Sequence, residues 1–232
     1  MILKNYDRKL IPELPKLVRT NVGGNRHYET PNGSYPSITS VLSIRNKEGI
    51  LEWRKKVGNE EANRIAKRAA TRGTQFHSLL EKYFLNEIDD FSSFSGAAIA
   101  KNPGVWFLFC EAVQILEKKV GDIYCIEDYL YSDEYGVAGA VDMIAEYEGK
   151  TSVVDFKTSN KEKKEEWIEN YFIQGTAYAK MFTERTNIPC DQLVIFIMPD
   201  NGIPQIFVKT VDDYIPQLIT AIENFKIYQQ KT

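Results

Sequence analysis

The sequence predicts an α/β fold in which a mixed central β-sheet is flanked by helices and covered by an N-terminal helical layer. Apolar residues recur at helical spacing from residue 37 to about residue 120, apart from one polar stretch. β-rich runs with hairpin-type connections then occupy residues 123–158, before a helix pattern, a strand pair and a final helix pattern. Strands interleaved with helices are typical of a sheet with helices on both sides.

Length and composition favour a single domain. The chain has 232 residues, of which 43% are hydrophobic, enough for a sizeable core without disulfides. Residues 1–36 contain Pro and Gly at turn-like positions and are predicted to form an arm with a short hairpin, whose turn is Asn32-Gly33. The arm is expected to lie on the core without building it. Residues 37–232 then form the main domain.

Apolar spacing and capping residues predict the helices. They cover residues 38–44, a stretch through Trp53, residues 59–85, 102 or 103 to 120, 164–186 and 212–229. Asn59 is the expected N-cap of the long helix. Gly121 is the expected C-cap of the helix that ends near residue 120. Residues 86–101 are predicted to be a loop.

Five β-rich runs predict the strands. They cover residues 123–131, 137–147, 151–158, 193–198 and 205–209. Short polar connections join the first three, which are therefore expected to form an antiparallel meander.

Residue counts exclude several classes of site. The three cysteines include no CxxC pair, so neither a disulfide framework nor a four-cysteine zinc or iron–sulfur site is expected. Two histidines exclude a three-histidine zinc site, so carboxylates must supply most ligands of any metal. The net charge of −3 provides no global attraction for nucleic acid, and an anionic ligand must be bound by a local patch.

The sequence shows no signal for a membrane or for export. No apolar run approaches the ~20 residues of a membrane span, and the first residues lack signal-peptide and transit patterns. We expect a cytoplasmic protein, of a bacterium or of a phage in its host, without a membrane partner. The phosphate-loop pattern G-x-x-x-x-G-K-[ST] is absent from the sequence, so no use of ATP is expected.

Two carboxylates and a lysine stand out among the predicted strands. Asp155 and Lys157 share one face of their strand, and Asp142 lies in an apolar run that the meander folds back beside Asp155. An isolated D-x-K is commonly a solvent-facing edge, but two adjacent carboxylates repel each other unless a cation binds between them, and oxygen ligands favour Mg²⁺ or Mn²⁺. Gly139 and Ala140 either leave room for a ligand or mark an ordinary sheet bend.

Four motifs together carry a family resemblance. They are RGTQFHSLLE, GVAGAVD, VVDFKTS and a Q-x-x-x-Y formed by Gln174 and Tyr178. In this order and on these elements they resemble the RecB-type branch of the PD-(D/E)XK nuclease superfamily. Among stand-alone members they are similar to the mitochondrial genome maintenance exonucleases and their phage relatives. The resemblance covers roughly residues 37–209.

The resemblance implies a restriction-endonuclease-like core and a metal-dependent DNA exonuclease that leaves 5′-phosphate products. It implies that His77, Asp142 and Asp155 hold Mg²⁺ or Mn²⁺ and that Lys157 serves the attacking water. It also implies that Gln174 and Tyr178 line the cleft and contact the nucleic-acid backbone or that water. The chain departs from members that carry an iron–sulfur cluster or a helicase, because it lacks the cysteines and the length.

Structural alternatives exist for several of these residues. A lone histidine such as His77 is often structural, and Glu81, four residues later, could orient His77 or only face solvent. Gln174 and Tyr178 share a helix face with Trp167 and Tyr171, which is by default a seam that faces the core.

A basic stripe precedes His77 on the long helix. Arg64, Arg68 and Arg72 recur every fourth residue. Such a stripe is commonly a solvated face, but beside a nuclease site it is predicted to bind the nucleic-acid backbone.

Single-stranded DNA is the expected substrate, from the relatives and from a cleft that one strand could thread. A flap or junction endonuclease, a non-catalytic nucleic-acid-binding module and a small-molecule phosphoesterase are the alternatives. Replication, recombination and repair of DNA and turnover of host DNA are all open as pathways.

Overall fold

The computed structural model describes residues 4–88 and 91–231, with all of their side chains except those of Phe91 and Ser93. The α-helices are α1 (Ile38–Ser43), α2 (Lys47–Val57), α3 (Asn59–Phe84), α4 (Phe91–Lys101), α5 (Pro103–Lys119), α6 (Glu169–Thr186) and α7 (Ile215–Gln230). The strands are β1 (Val18–Val22), β2 (Asn25–Thr30), β3 (Gly33–Pro36), β4 (Val120–Ile126), β5 (Tyr129–Ser132), β6 (Val137–Ala140), β7 (Met143–Tyr147), β8 (Lys150–Ser159), β9 (Gln192–Pro199) and β10 (Gln205–Thr210). Short 3₁₀ segments precede α2, α6 and α7 at Ile44–Asn46, Glu165–Trp167 and Val211–Tyr214.

Within the described residues, five strands form the central sheet in the order β10-β9-β8-β7-β4. β8 and β9 are parallel and α6 connects them, whereas the other neighbouring strands are antiparallel. The central sheet is therefore mixed and flanked by helices, which confirms the predicted fold class.

Both faces of the central sheet are covered by apolar layers. Val153 on β8 packs in the layer with α1, α6 and α7, while Val154 and Phe156 pack in the layer with α3 and α5. Successive side chains of a strand alternate between faces, so β8 is buried on both. Asp155 and Lys157 consequently lie on the α6 side, and Phe156 on the α3 side.

Two of the predicted strands are each divided in two, so only one part of each belongs to the predicted three-stranded meander. The run 123–131 breaks at Glu127, whose φ of 51° interrupts the extended backbone between β4 and β5. The run 137–147 breaks at Val141 and Asp142, between β6 and β7. β4, β7 and β8 keep the meander, while β5 and β6 leave it as a separate antiparallel pair.

The N-terminal hairpin is present, but its turn is shifted by one residue from the prediction. Thr30 pairs with Gly33, so Pro31 and Asn32 occupy the centre of the turn. Proline supplies the fixed φ that suits the first central position of a turn. β1 adds a third strand to this hairpin, and Tyr28 of β2 is fully buried. The arm thus contributes side chains to the interior, contrary to the expectation that it only lies on the core.

The loop predicted for residues 86–101 is wrong in its second part, where α4 forms; residues 89 and 90 lie outside the described residues. Phe94 of α4 packs edge-on against Trp106 and Phe109 of α5. Serine and glycine weaken the local helix preference of this segment, and tertiary packing overrides it.

Several helix ends also differ from the predictions. The N-cap of α3 is Gly58, and Asn59 is the first residue of the helix, while α7 begins at Ile215 and not at residue 212. α5 passes directly into β4 through extended Val120, so Gly121 is a strand residue and not a C-cap. A Cβ on Gly121 would lie 3.1 Å from Glu146 Oε2. α6 begins at Glu169, not near Lys164, and Trp167 precedes it with 61% of its surface exposed. Trp167 therefore does not belong to the core-facing seam.

None of the described helices is both long enough and apolar enough to cross a membrane.

Candidate metal centre

The two strand breaks bring Glu127 and Asp142 together. The Glu127 N–H donates to the Asp142 carbonyl at 3.1 Å, and the Val141 N–H donates to the Asp128 carbonyl at 3.0 Å. A positive φ is uncommon for a residue other than glycine and costs on the order of 1 kcal/mol, so it persists only where surrounding contacts hold it. These two backbone hydrogen bonds hold the break and place both carboxylates at the edge of β8.

The backbone of Phe156 orients the imidazole of His77 and the carboxylate of Asp142. β7 begins at Met143, opposite Val154, so the Phe156 peptide groups on this side have no strand partner. The Phe156 N–H donates to Asp142 Oδ2, and the Phe156 carbonyl accepts from His77 Nε2, both at 2.8 Å. A single residue of β8 thereby fixes the positions of Asp142 and of His77 on α3.

This arrangement determines which histidine nitrogen faces the carboxylates. A carbonyl oxygen only accepts, so Nε2 of His77 carries the hydrogen and Nδ1 of the neutral ring has a free lone pair. Nδ1 lies 3.6 Å from Asp142 Oδ1 and 3.6 Å from Glu127 Oε1. A histidine that donates one N–H to a backbone carbonyl and presents the other nitrogen to carboxylates has the usual arrangement of a metal ligand.

Asp155 and Lys157 form a buried ion pair on the other face of β8. Lys157 Nζ lies 2.5 Å from Asp155 Oδ2, and Asp155 is 1% exposed. Burial, together with the Asp142 carboxylate, raises the pKa of Asp155 to about 6 against the opposing effect of Lys157. Burial lowers the pKa of Lys157, but the two aspartates outweigh burial and raise it, so Lys157 is an ammonium.

The donor atoms fit a hard divalent cation. Among the described residues, one donor atom each of His77, Glu127 and Asp142 lies within 4.8 Å of the other two. Buried Asp155 Oδ1 lacks a hydrogen-bond donor among the described residues, while Oδ2 faces the Lys157 ammonium, and an orphaned carboxylate oxygen such as Oδ1 is costly without a cation. Carboxylate oxygens with one imidazole suit Mg²⁺ or Mn²⁺.

Among the predicted residues, the structure brings His77 and Asp142 into one cluster with Glu127, which was not predicted. Asp155 is outside this cluster, paired with Lys157, and both charges act on His77. The only signal of Glu127 in the sequence is an acidic residue inside an otherwise strand-like run. Glu81, also on α3, lines the same cavity as His77, Glu127 and Asp142, and burial and then the Glu127 carboxylate raise its pKa.

Cation affinity is expected to rise with pH between about pH 6 and about pH 9. Burial lowers the pKa of His77, but Asp142 and Glu127 raise it to about 9, and the pKa of Asp155 is about 6. A bound cation must displace these protons, so raising the pH favours binding. Mg²⁺ titrations across this range check the prediction, and His77→Gln should flatten the upper part of the rise. An affinity that is constant or falls with pH would contradict it.

Gln174 and Tyr178 of α6 contact each other beside β6. Gln174 Nε2 donates to Tyr178 Oη at 3.2 Å, and Tyr178 is 2% exposed. A Cβ on Gly139 would lie 2.8 Å from Tyr178 Cε1, so Gly139 gives room to the Tyr178 ring. The space beside Gly139 is therefore occupied by the Tyr178 ring of the protein itself. Contact of Gln174 or Tyr178 with nucleic acid stays a prediction.

Gly139→Ala is expected to lower the free energy of unfolding by about 1–3 kcal/mol, because an overpacked core must displace the Tyr178 ring. Urea unfolding of the variant measures the loss. Gly49→Ala is the matched control, since a Cβ there meets nothing within 4 Å and Gly49 lies within α2. Equal stability of the Gly139 variant and wild type would contradict the packing described.

The arginines of the basic stripe on α3 have different partners. Arg64 donates to Glu61 on the surface. Arg72 is 11% exposed and donates to Thr158 and Asn160, and it forms an ion pair with Asp200. The stripe therefore ends in contacts that tie α3 to β8 and to the turn after β9. Binding of nucleic acid by Arg64, Arg68 and Arg72 stays a prediction.

Comparisons with known proteins support a nuclease family. No protein-family model matches the chain. The chain is 27% identical over 180 residues to the human protein "Mitochondrial genome maintenance exonuclease 1", an alignment that covers 69% of this chain and 48% of that protein. The chain thus spans about half the length of this relative.

A solved structure of a Eubacterium rectale protein named "Putative exonuclease" is 16% identical, with a TM-score of 0.43, and the match covers 66% of this chain and 64% of that one. The sequence similarity to an exonuclease and the convergence of His77, Asp142, Asp155 and Lys157 are both consistent with a nuclease.

Proposed function

We propose that the protein is a divalent-metal-dependent DNA exonuclease that acts on single strands and leaves 5′-phosphate products. The observation that carries the proposal is the meeting of His77, Glu127 and Asp142 with the Asp155–Lys157 pair around one residue of β8. The resemblance to RecB-type PD-(D/E)XK nucleases and the exonuclease relative favour the same activity.

The carboxylate and imidazole donors favour Mg²⁺ or Mn²⁺ as the bound ion. His77, Asp142 and Asp155 would hold the ion, and Glu127 supplies a further carboxylate at the same point. When bound, the ion offers the Lewis acidity that offsets phosphate charge and favours deprotonation of water at neutral pH.

The remaining residues position and stabilise the reacting groups. Lys157 carries its positive charge beside Asp155 and is partly exposed, so it can bind the attacking water or the negative charge that develops on the phosphate. The Lys157 ammonium also lies 5.2 Å from the ring centroid of Tyr171, which limits its movement. Gln174 can offer its amide as a neutral donor to the scissile phosphate or the water, with Tyr178 holding it.

The proposal is tested with 5′-labelled linear single strands, linear duplexes and circular single strands, each incubated with Mg²⁺, Mn²⁺ or EDTA. We expect the linear single strands to be shortened in the presence of either metal, and the products to accept ligation through a 5′-phosphate. Cleavage of circles would make the protein an endonuclease. Binding without cleavage would make it a nucleic-acid-binding module, and turnover unaffected by competitor DNA would indicate a small-molecule phosphoesterase.

A further inference from the structure

A groove lies between α3 and α5, away from the metal centre. Lys67 and Arg68 line it from α3 and Phe107 from α5, and the Arg72–Asp200 pair lies at its end. Arg68 and His77 are nine residues apart on α3, which is two and a half helical turns. The two side chains therefore leave α3 on opposite sides, separated by about 13 Å along its axis.

Phe107 contributes a half-exposed ring to this groove. The residue is 50% exposed, which is unusual for a phenylalanine. A Cβ on Gly202 would lie 2.5 Å from Phe107 Cε1 and 3.0 Å from Cζ, so one edge of the ring rests directly against the turn after β9. A half-exposed ring that is supported at one edge is suited to stack on a flat partner.

The cations of the groove are available for a ligand. Lys67 and Arg68 are both exposed, and neither forms an ion pair with any described residue. Asp200 is neutralised by Arg72, and the nearest acidic residue of α3, Glu61, is engaged by Arg64. The groove thus combines positive charge with an open aromatic ring, which is the combination that binds single-stranded nucleic acid.

We propose that this groove binds a segment of single-stranded DNA distant from the cleaved bond, with one base stacked on Phe107 and phosphates contacted by Lys67 and Arg68. The inference rests on the proposed function for its substrate. Because the groove and His77 lie on opposite sides of α3, a short oligonucleotide that occupies the metal centre does not reach Phe107. The groove then increases affinity for long strands without taking part in the reaction.

The test compares binding of labelled oligonucleotides of roughly 4 and roughly 20 nucleotides by fluorescence anisotropy in EDTA. Phe107→Ala is expected to weaken binding of the long strand about tenfold and to leave binding of the short strand unchanged. Phe107→Trp should retain binding of the long strand, and Phe107→Leu should lose it, since leucine keeps apolar area but cannot stack. Lys67→Ala with Arg68→Ala should weaken long-strand binding and reduce its salt dependence.

Matched controls lie on α7, on another part of the surface. Ile227 is 50% exposed, so Ile227→Ala removes a comparable apolar side chain, and Lys226→Ala removes a comparable charge. Neither is expected to change binding.

The outcomes separate this inference from the proposed function. Full long-strand binding by Phe107→Ala or by Phe107→Leu overturns the stacking groove, even if the wild-type protein cleaves DNA. If the protein cleaves no DNA but the long strand still requires Phe107, the groove stands and the proposed function fails. In an active protein, Phe107→Ala should raise KM for long strands while kcat stays unchanged, and an unchanged KM would overturn the inference.

Discussion

Lys157→Ala is expected to reduce the rate of DNA cleavage by about 10²–10⁴-fold while divalent-cation binding persists. The ammonium lies beside Asp155 at the reacting centre but is not itself able to bind a cation. Losing a positioned charge or proton-transfer group typically costs rates of this size. Single-turnover cleavage of a labelled single strand measures the effect.

The control for Lys157→Ala must account for Asp155, the buried partner of Lys157. Removing one member of a buried ion pair destabilises a protein by about 3–5 kcal/mol, because the other charge is left uncompensated. Thermal unfolding must therefore show that Lys157→Ala is folded at the assay temperature. Lys164→Ala, an exposed lysine after β8, is the matched control and should cleave normally. Normal cleavage by a folded Lys157→Ala variant would contradict the assigned role.

Asp155→Asn is expected to reduce both cleavage and cation binding, each by at least about 10²-fold. Asparagine keeps the size of the side chain but removes the negative charge that faces Lys157 through Oδ2 and that leaves buried Oδ1 without a donor among the described residues. The ammonium of Lys157 also loses the carboxylate that raises its pKa, so Lys157 should become easier to deprotonate. Calorimetric titration with Mn²⁺ and cleavage of a labelled strand measure the two losses.

The two variants together distinguish a metal ligand from a residue that acts on the water. Glu166→Gln, which changes an exposed carboxylate in the 3₁₀ segment before α6, is the control for Asp155→Asn and should change neither property. A variant Asp155→Asn that binds Mn²⁺ like wild type would remove Asp155 from the ligand set, whatever its rate of cleavage.

Local patterns in the sequence predict the pair of aspartates, because their positions depend only on strand alternation and on short connections. Asp155 and Lys157 are two residues apart on one strand, and a tight turn of two residues, Glu148 and Gly149, folds the strand that follows Asp142 back beside them. The mixed sheet follows from the same patterns, since β8 and β9 are separated by a helix long enough to connect parallel strands.

Glu127 could not be predicted in this way. Its position depends on a left-handed backbone conformation that hydrogen bonds from a second strand break stabilise. The ion pair of Arg72 with Asp200 could not be predicted either, because Asp200 is distant in the sequence and lies in the turn after β9. The packing of α4 depends on aromatic contacts with α5 that no local pattern of residues 91–101 reveals.

Calorimetric titration of the wild-type protein and of Asp142→Asn with Mn²⁺ in the absence of DNA is the most direct test of the metal centre. Asp142 is held by the Phe156 N–H, so the substitution leaves the hydrogen-bonded position filled while it removes the charge. We predict that the wild-type protein binds Mn²⁺ and that Asp142→Asn loses this binding while it remains folded. Absence of binding to the wild-type protein, or equal binding to both proteins, would contradict the account.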